Sequence, residues 1–354
     1  MNSIQRILHQ PFFIKLLNWE YWSFGTVYAL LYPIWIFLCL RARSFFFFAA
    51  SNPSIQNGGF LSESKKDIYA ITPPHLSPKT AFFSLPANAN IVIEQLKSQG
   101  LEFPLIGKPD IGGRGRGVKA LKDEEDVKAY VRNAFLDFHI QEFVSFKNEV
   151  GIFYYRFPDQ AKGTITGIVR KEFLSVTGNG INTMRELLMK EKRAILQKDS
   201  LEKMYGAQLD AVMEDGTRKT LVPYGNHARG AKFLDASHMI DEELTETIDR
   251  VCKQVKDFYF GRLDIRYNTW DELKQGINFS VIEVNGAGSE PTHIYDPNHS
   301  LFFAWKEIIR HWLILWRISR ANHKKGHPYL SFKEGVKMFR EDKLISQKLA
   351  AMPE

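Results

Sequence analysis

The 354-residue chain is poor in cysteine, with only Cys39 and Cys252. Two thiols cannot build the disulfide framework of a small secreted domain, and the count fits a reducing compartment. Other signatures are missing too. No Gly-Lys-Ser/Thr closes a Walker A loop. His75, His227, His293 and His299 follow no zinc-ligand spacing and read as ordinary loop histidines. No basic recognition helix or aromatic single-strand platform appears, so nucleic acid is not an expected partner. There is no internal repeat, and the only low-complexity run is the four phenylalanines at 45–48.

What is present points to a folded chain with an anionic partner. Hydrophobic residues make up 44% and charged residues 25%, ordinary values for a soluble globular protein. The length allows two or three compact units. The net charge of +7 suits a nucleotide, nucleic acid or an anionic membrane face, and composition does not choose among them. Aromatic residues reach 13%, with 27 Phe concentrated towards the two ends.

The stretch from Phe24 to Leu40 carries no charge. As one helix it would reach roughly 25 Å, short of the ~30 Å hydrocarbon core. Pro33 in its middle is expected to kink or break it. Trp19, Tyr21 and Trp22 precede it like an interfacial belt, and Arg41 and Arg43 follow. The long leader containing Glu20 argues against a signal peptide. Residues 1–50 are therefore expected to be an apolar helical membrane-associating segment, with a buried hairpin of core helices as the alternative. Residues 51–78, rich in Ser, Asn, Pro and Gly, read as a connector or substrate loop.

From Lys79 onward the pattern is mixed helix and strand. Phe103 to Lys108 predicts a strand running into a glycine-rich turn. Val127, Tyr130, Val131 and Phe135 recur at helical spacing after an acidic start. Thr183 and Glu186 predict a capping box ahead of a helix to about Ala194. Leu244, Ile248, Val251, Val255 and Phe258 predict an amphipathic helix. Two alternating strands follow. In one, Arg262 and Asp264 share a face; in the other, Glu283 and Asn285 do.

Two constellations carry chemistry. In the first, Gly107 to Val118, glycines let backbone N–H groups close on phosphate oxygens, and Lys108 can reach the same oxygens. A flexible basic loop is the bland reading of that stretch. In the second, Asp264, Glu283 and Asn285 offer hard oxygen ligands for Mg²⁺ bridging nucleotide phosphates. Arg262 is placed to stabilise charge developing at a phosphoryl or tetrahedral centre. A surface salt bridge would also explain the acids, but Glu283 lies in a strand of Phe, Val and Ile, where an acid is costly without a cation.

Together these motifs resemble the ATP-grasp superfamily, in particular D-alanine–D-alanine ligase, cyanophycin synthetase and glutamate-adding ligases. The resemblance spans about residues 79–300. It implies an α+β ATP-grasp fold: two subdomains at 79–145 and 146–318 clasping ATP, an apolar helical N-terminal appendage and a helical tail at 319–354. It assigns Lys79 and Lys108 as nucleotide lysines, with Gly112, Gly113 and Gly115 in the phosphate-covering loop. Glu142 and Val144 would face adenine, and Glu149 the ribose. Arg262 would be catalytic, and Asp264, Glu283 and Asn285 would hold metal. The stretches around Val176–Leu187 and Asn226–Gly230 look closest to cyanophycin synthetase, making Arg229 and Asn226 candidates for touching phosphate or acyl phosphate. Arg170 and Lys171 stand where a further phosphate-binding base is expected.

The implied activity is a carboxylate–amine ligation through an acyl phosphate, using ATP and Mg²⁺, with two ions expected and Mn²⁺ as a substitute. A kinase that stops at phosphoryl transfer and a membrane-associated scaffold are the alternatives. Two departures stand out. The relatives normally begin with a separate α/β domain, and the apolar segment occupies that place here. Gly286-Ala287-Gly288 also stands where a Pro-Gly pair is common. Residues 300–325 read as a helix with Phe302, Trp305, Trp312 and Trp316 on a broad apolar face, either core or interfacial. The expected location is the cytoplasmic side of a membrane, peripheral, monotopic or single-pass, with the cytosol as the alternative.

Overall fold

Side-chain caps mark where helices begin. Asp123 accepts from the Asp126 amide and Asp241 from that of Leu244, and Thr183–Glu186 and Thr269–Glu272 form complete capping boxes. The computed structural model describes residues 8–113, 115–222 and 227–350. Asn226, a candidate from the sequence, lies outside them.

In chain order the first helices are α1 (Pro11–Leu17), α2 (Phe24–Tyr28), α3 (Tyr32–Ala42) and α4 (Lys65–Ile71). Then come β1 (Thr80–Phe83), α5 (Ala89–Ser98), β2 (Leu105–Pro109), β3 (Lys119–Leu121), α6 (Glu124–Asn133) and β4 (Phe138–Glu142). Next are β5 (Asn148–Tyr155), β6 (Thr164–Glu172), β7 (Ser175–Thr177), α7 (Met184–Leu188), α8 (Lys192–Leu196), α9 (Lys198–Tyr205), β8 (Arg218–Thr220) and β9 (Lys232–Asp235). The chain continues through α10 (Glu242–Gln254), β10 (Phe260–Tyr267), α11 (Trp270–Gln275) and β11 (Phe279–Asn285), and then through α12 (Leu301–Lys324) and α13 (Phe332–Ala350). The architecture is α+β, as expected. It divides into a larger unit (33–168, 237–291, 308–354) and a smaller one (1–32, 169–236, 292–307).

In the larger unit, one sheet has the order β1-β4-β2-β3, all neighbours antiparallel. Alternation sorts its side chains. Ala81, Phe83, Leu105, Phe138 and Ile140 face α5 and α6 and pack with Val92, Leu96, Val127 and Tyr130. Thr80, Phe82, Ile106, Lys108, His139 and Gln141 are left on the opposite face. The second sheet runs β11-β10-β5-β6 within this unit.

The apolar run is broken ahead of Pro33, as expected: a 3-10 turn at Ala29–Leu31 separates α2 from α3. Pro33 sits in the first turn of α3, where its missing N–H costs nothing. Leu38, Cys39, Phe46, Phe47 and Phe48 are buried in one core with Phe153, Phe260, Leu315, Ile318 and Met338. Trp35 packs against Phe47 and Trp312, with both centroid distances at 5.0 Å. By length and composition alone, 24–42 could cross a membrane, and 28% of its apolar window is buried. Phe24 and Leu30 are exposed as well as the outward stripe of α3. Ser51 and Asn52 are fully buried, so the connector begins as a buried turn.

Helix ends differ from expectation in two places. α6 ends at Asn133 because Ala134 is extended, which leaves Phe135 outside. α7 stops at Leu188, where Met189 and Lys190 close tight turns onto Arg185 and Leu187, and α8 begins afresh at Lys192.

In the smaller unit, β9 pairs with residues 169–172 of β6, and β7 and β8 form an antiparallel ribbon. Leu174, Val176, Met184, Leu188, Ala194 and Leu201 form its core. Trp19 stacks on Tyr295 and donates to the His299 carbonyl at 2.8 Å. Glu20, buried despite its charge, pairs with Arg193, the kind of partner a buried carboxylate requires.

Candidate active site

Antiparallel register places the four residues of the metal-strand motif opposite one another. Asp264 faces Glu283 and Arg262 faces Asn285 across β10 and β11, with an irregularity just after Asp264. Directly opposed side chains share a sheet face. Asp264 is 3% exposed. Arg262 grips it with two nitrogens, at 2.9 and 3.1 Å, and reaches the Glu290 carbonyl at 3.4 Å. Burial pulls the guanidinium's pKa down, but the Asp264 carboxylate more than offsets this and holds it above its ordinary value.

One polar atom here has no partner: the buried side-chain nitrogen of Asn285. An orphaned buried amide costs about 1–3 kcal/mol unless something else satisfies it. Amide O and N are assigned from their hydrogen bonds, so either atom can face the site. Among the described residues no cluster of three or more His, Cys, Asp and Glu has metal-holding geometry. The oxygen donors are two carboxylates completed by an amide, which suits a hard cation. The residues therefore fit Mg²⁺.

The backbone behind this face is held by residues 52–60. The Asn52 carbonyl oxygen accepts from the Tyr259 and Phe260 amides at 2.8 and 3.0 Å. Its nitrogen donates to the Gly58 and Phe260 carbonyls, both at 2.9 Å. The Ala287 and Gly288 amides donate to Gly58 and Gly59 at 2.9 and 2.8 Å. A Cβ on Gly286 would stand 2.5 Å from the Gly58 oxygen. Both residues after Gly286 donate an N–H, which a proline at either position would lack.

On the first sheet Lys108 is buried, and its amine donates to the Tyr69 hydroxyl at 2.5 Å and to Gln141 at 2.9 Å. Gln141 in turn donates to Tyr69 and Thr80. Lys79 does not share this face. It precedes β1 with the opposite parity, is exposed, and its amine lies 3.6 Å from where a Cβ on Gly100 would stand. Glu142 is its neighbour, accepting from the Lys79 amide at 3.0 Å. Gly112, Gly113 and Gly115 follow β2 in an irregular turn, with Gly112 at φ 137° and Gly115 at φ 69°.

Val144 and Glu149 meet at Arg266. That guanidinium donates to the Val144 and Phe146 carbonyls at 3.5 and 3.2 Å and to Glu149 at 3.3 Å. Lys171, on β6, and Arg229, in the short turn His227–Arg229, belong to the smaller unit.

Sequence reasoning missed Lys65, Tyr69, Asp110 and Gln141. The Asp110 carboxylate accepts from His139 at 2.8 Å, the Lys66 amide at 2.8 Å and the Ser64 hydroxyl at 3.1 Å, clipping the start of α4 to the base of the glycine-rich turn. The Lys65 amine donates to the Gly112 and Asp110 carbonyls at 2.8 and 3.3 Å. Burial lowers its pKa, the Glu283 charge opposes that, and Lys108 adds to it. Lys65 therefore lies within electrostatic reach of both Glu283 and Lys108. The unbroken Lys-Pro-Asp run hinted at Asp110; nothing local hinted at Tyr69.

No family model and no curated protein matches the chain. Its structure is similar to that of a D-alanine–D-alanine ligase from Bacillus anthracis complexed with ATP, at 15% identity and a TM-score of 0.41, covering 74% of this chain and 66% of that one. It is also similar to the VanG D-Ala:D-Ser ligase from Enterococcus faecalis, at 14% identity and a TM-score of 0.39, covering 68% and 57%. A third is a bifunctional glutathione synthetase from Pasteurella multocida, at 14% identity and a TM-score of 0.38, covering 68% and 34%. The chain thus spans between about a third and two thirds of the length of these three proteins.

Proposed function

We propose that the protein is an ATP-dependent carboxylate–amine ligase of the ATP-grasp type. The observation that carries this reading is the gathering of opposite charges in one unit. Asp264, Glu283 and the orphaned Asn285 amide stand on one sheet, and the buried Lys108 stands on the other, with Lys65 in range of both sets. Acids beside one buried and one half-buried lysine suit a polyphosphate whose charge a cation also shares.

In this reading a substrate carboxylate attacks the γ-phosphorus of ATP, ADP leaves, and an acyl phosphate forms. An amine then attacks the acyl carbon and expels phosphate, losing its proton to solvent or base. Lys108 and the backbone of the glycine-rich turn hold the phosphates. Arg262, fixed by Asp264, stabilises negative charge on the transferring group. Asp264, Glu283 and Asn285 would hold Mg²⁺, which supplies charge neutralisation when bound. Glu142, Val144 and Glu149 would line the base and ribose, with Lys79 nearby on the edge of β1. Lys171 and Arg229, both in the smaller unit, are the bases that the resemblance assigns to phosphate or acyl phosphate.

The finer reading concerns the substrate. Ile36, Phe37 and Leu40 project from α3 at 50, 57 and 66% exposure, beside the exposed Arg41 and Arg43. Exposed Phe45 touches Phe332 on α13, next to Lys333 and Lys337. Apolar stripes edged by bases suit an anionic lipid surface, and an amphiphilic substrate presented there.

The test is incubation of purified protein with Mg-ATP and a lipid-plus-metabolite extract, followed by mass spectrometry for a condensation product and assay of ADP and phosphate. A ligase releases phosphate only with an amine present, whereas a kinase leaves a phosphorylated product. Glu283→Gln should lower turnover on the order of 10²-fold or more. Full turnover in both Glu283→Gln and Lys108→Ala would refute the site.

A further inference from the structure

Resting on the ligase reading, we propose that Leu349 is a positioning residue for the nucleotide. From the last turn of α13 it holds the glycine-rich turn in the shape that receives the terminal phosphates. Sequence reasoning took residues 319–354 for a helical tail with no part in the site.

A turn built from glycine does not order itself. Residues 112–117 include four glycines, whose backbones lose more freedom on ordering than any other residue's. The backbone bonds within the turn are long. The Arg116 amide reaches the Gly113 carbonyl at 3.3 Å, and the Val118 amide the Gly115 carbonyl at 3.4 Å. A Cβ on Gly113 would meet nothing within 4 Å. Firmer contacts lie at the two ends. At the far end the Tyr130 hydroxyl donates to the Gly117 carbonyl at 3.0 Å. At the near end the Lys65 amine donates to the Gly112 carbonyl at 2.8 Å, and Leu349 closes over the Gly112 Cα. A Cβ there would stand 2.7 Å from the Leu349 Cδ1, and the three atoms nearest to it all belong to that leucine. Gly112 also has φ 137°, which side chains rarely tolerate. Leu349 is 5% exposed, although its neighbours Lys348 and Ala350 are exposed.

The helix that carries Leu349 is anchored well away from the turn. A Cβ on Gly335 would collide with the Phe46 ring, and Met338 is buried in the same core as Phe46. Further along, Asp342 accepts from the Ser62 hydroxyl at 3.2 Å. Gly335, Met338, Asp342, Ile345 and Leu349 recur every three or four residues, so one helical face carries all of these contacts. From Gly335 to Leu349 that face rises about 21 Å. α13 is thus a stiff arm from the Phe46 core to Gly112. A turn held in one shape before the nucleotide arrives binds more tightly, because its ordering cost falls on folding rather than on binding.

Two measurements on the full chain test this, for the wild type, Leu349→Ala and Leu349→Met. One is the rate of tryptic cleavage at Arg116 without nucleotide. The other is calorimetric affinity for Mg-ATP and for AMP, which lacks the terminal phosphates. Met refills the space with a side chain of similar volume. Leu349→Ala should be cut about fivefold faster or more, and should lose about fivefold or more in Mg-ATP affinity while AMP stays within about twofold. Leu349→Met should lie close to the wild type in both. Unchanged cleavage, unchanged Mg-ATP affinity or an equal loss for AMP overturns the assignment. Should Leu349→Ala fail to fold, Leu349→Val decides the matter: it removes the Cδ atom that meets Gly112, and a wild-type cleavage rate overturns the proposal. A wild type that binds no Mg-ATP overturns the ligase reading, whereas the cleavage rate still judges whether Leu349 holds the turn.

Discussion

His139 and Asp110 form a pair whose protonation is set by burial. His139 is 1% exposed; its Nε2 meets Asp110, and its Nδ1 has no partner. Burial drives its pKa below the ordinary value although Asp110 pulls the other way. A second proton would leave a buried N–H unsatisfied, so the neutral ring, donating from Nε2, is the stable form. For Asp110, burial raises the pKa, but the bonds from His139, Lys66 and Ser64 prevail and hold it low. Both signs agree. A histidine whose folded pKa is depressed leaves the unfolded chain binding more protons, so stability falls as pH drops below about 6.5. The depressed Asp110 adds a further loss below about 3.9. Melting temperature measured from pH 8 to pH 4 should therefore decline in the wild type, with the limb between pH 7 and pH 5 shallower in His139→Gln. An identical slope in both proteins would show that the ring does not carry the effect.

The same scale separates what was legible from what was not. Arg262, Asp264, Glu283 and Asn285 could be read because strand alternation is local and period two assigns a face without tertiary knowledge. Lys79 shows the limit of that method. Resemblance names it as a nucleotide lysine, yet strand parity turns it to the helix-covered side of β1, away from the Lys108 face. Lys65 and Tyr69 were invisible, since their meaning comes from α4 docking against β2 and β4, where Tyr69 meets partners 39 and 72 residues away.

Among elements, residues 52–60 do the work that a regular strand would do. Asn52 makes four hydrogen bonds from a fully buried position, binding the entry of β10 to the turn at Gly58. That turn in turn receives the amides leaving β11. Asn52→Ala strands backbone groups at the entry of β10 and at the Gly58 turn, each costing about 1–3 kcal/mol, so a loss of about 3 kcal/mol is expected once water relieves some of them. Urea denaturation checks this, and a loss under about 1 kcal/mol would mean the segment is not a fastener. Composition misled here: Ser, Asn, Pro and Gly signal a loop, but the same residues also build tight buried turns. Tyr69 is a second fastener. Tyr69→Phe removes the oxygen that both Lys108 and Gln141 use, and should cost about 1 kcal/mol while weakening Mg-ATP binding. If the affinity is untouched, Lys108 is positioned by Gln141 alone.

At the scale of the molecule, the apolar N-terminal run divides its labour by helical face. On α3, Trp35, Leu38 and Cys39 point into the core, while Tyr32, Ile36, Phe37 and Leu40 recur at the complementary spacing and stay exposed. A span would expose all sides to lipid, whereas an uncovered apolar stripe suits a contact surface. Under the proposed reading, a helix lying in the interface would reconcile the two faces. Each exposed base near an anionic leaflet adds about 1 kcal/mol, on top of apolar burial at about 25 cal/mol per Å². The full chain should therefore sediment with vesicles of mixed anionic and zwitterionic lipid, bind weakly to purely zwitterionic ones, and lose part of its binding at high salt. Phe37→Asp with Leu40→Asp should abolish sedimentation and leave the melting temperature within a few degrees, because neither side chain is buried. A soluble wild type in the presence of anionic vesicles would refute the interfacial role. So would a double variant that still sediments, since the apolar stripe would then contribute nothing to the contact.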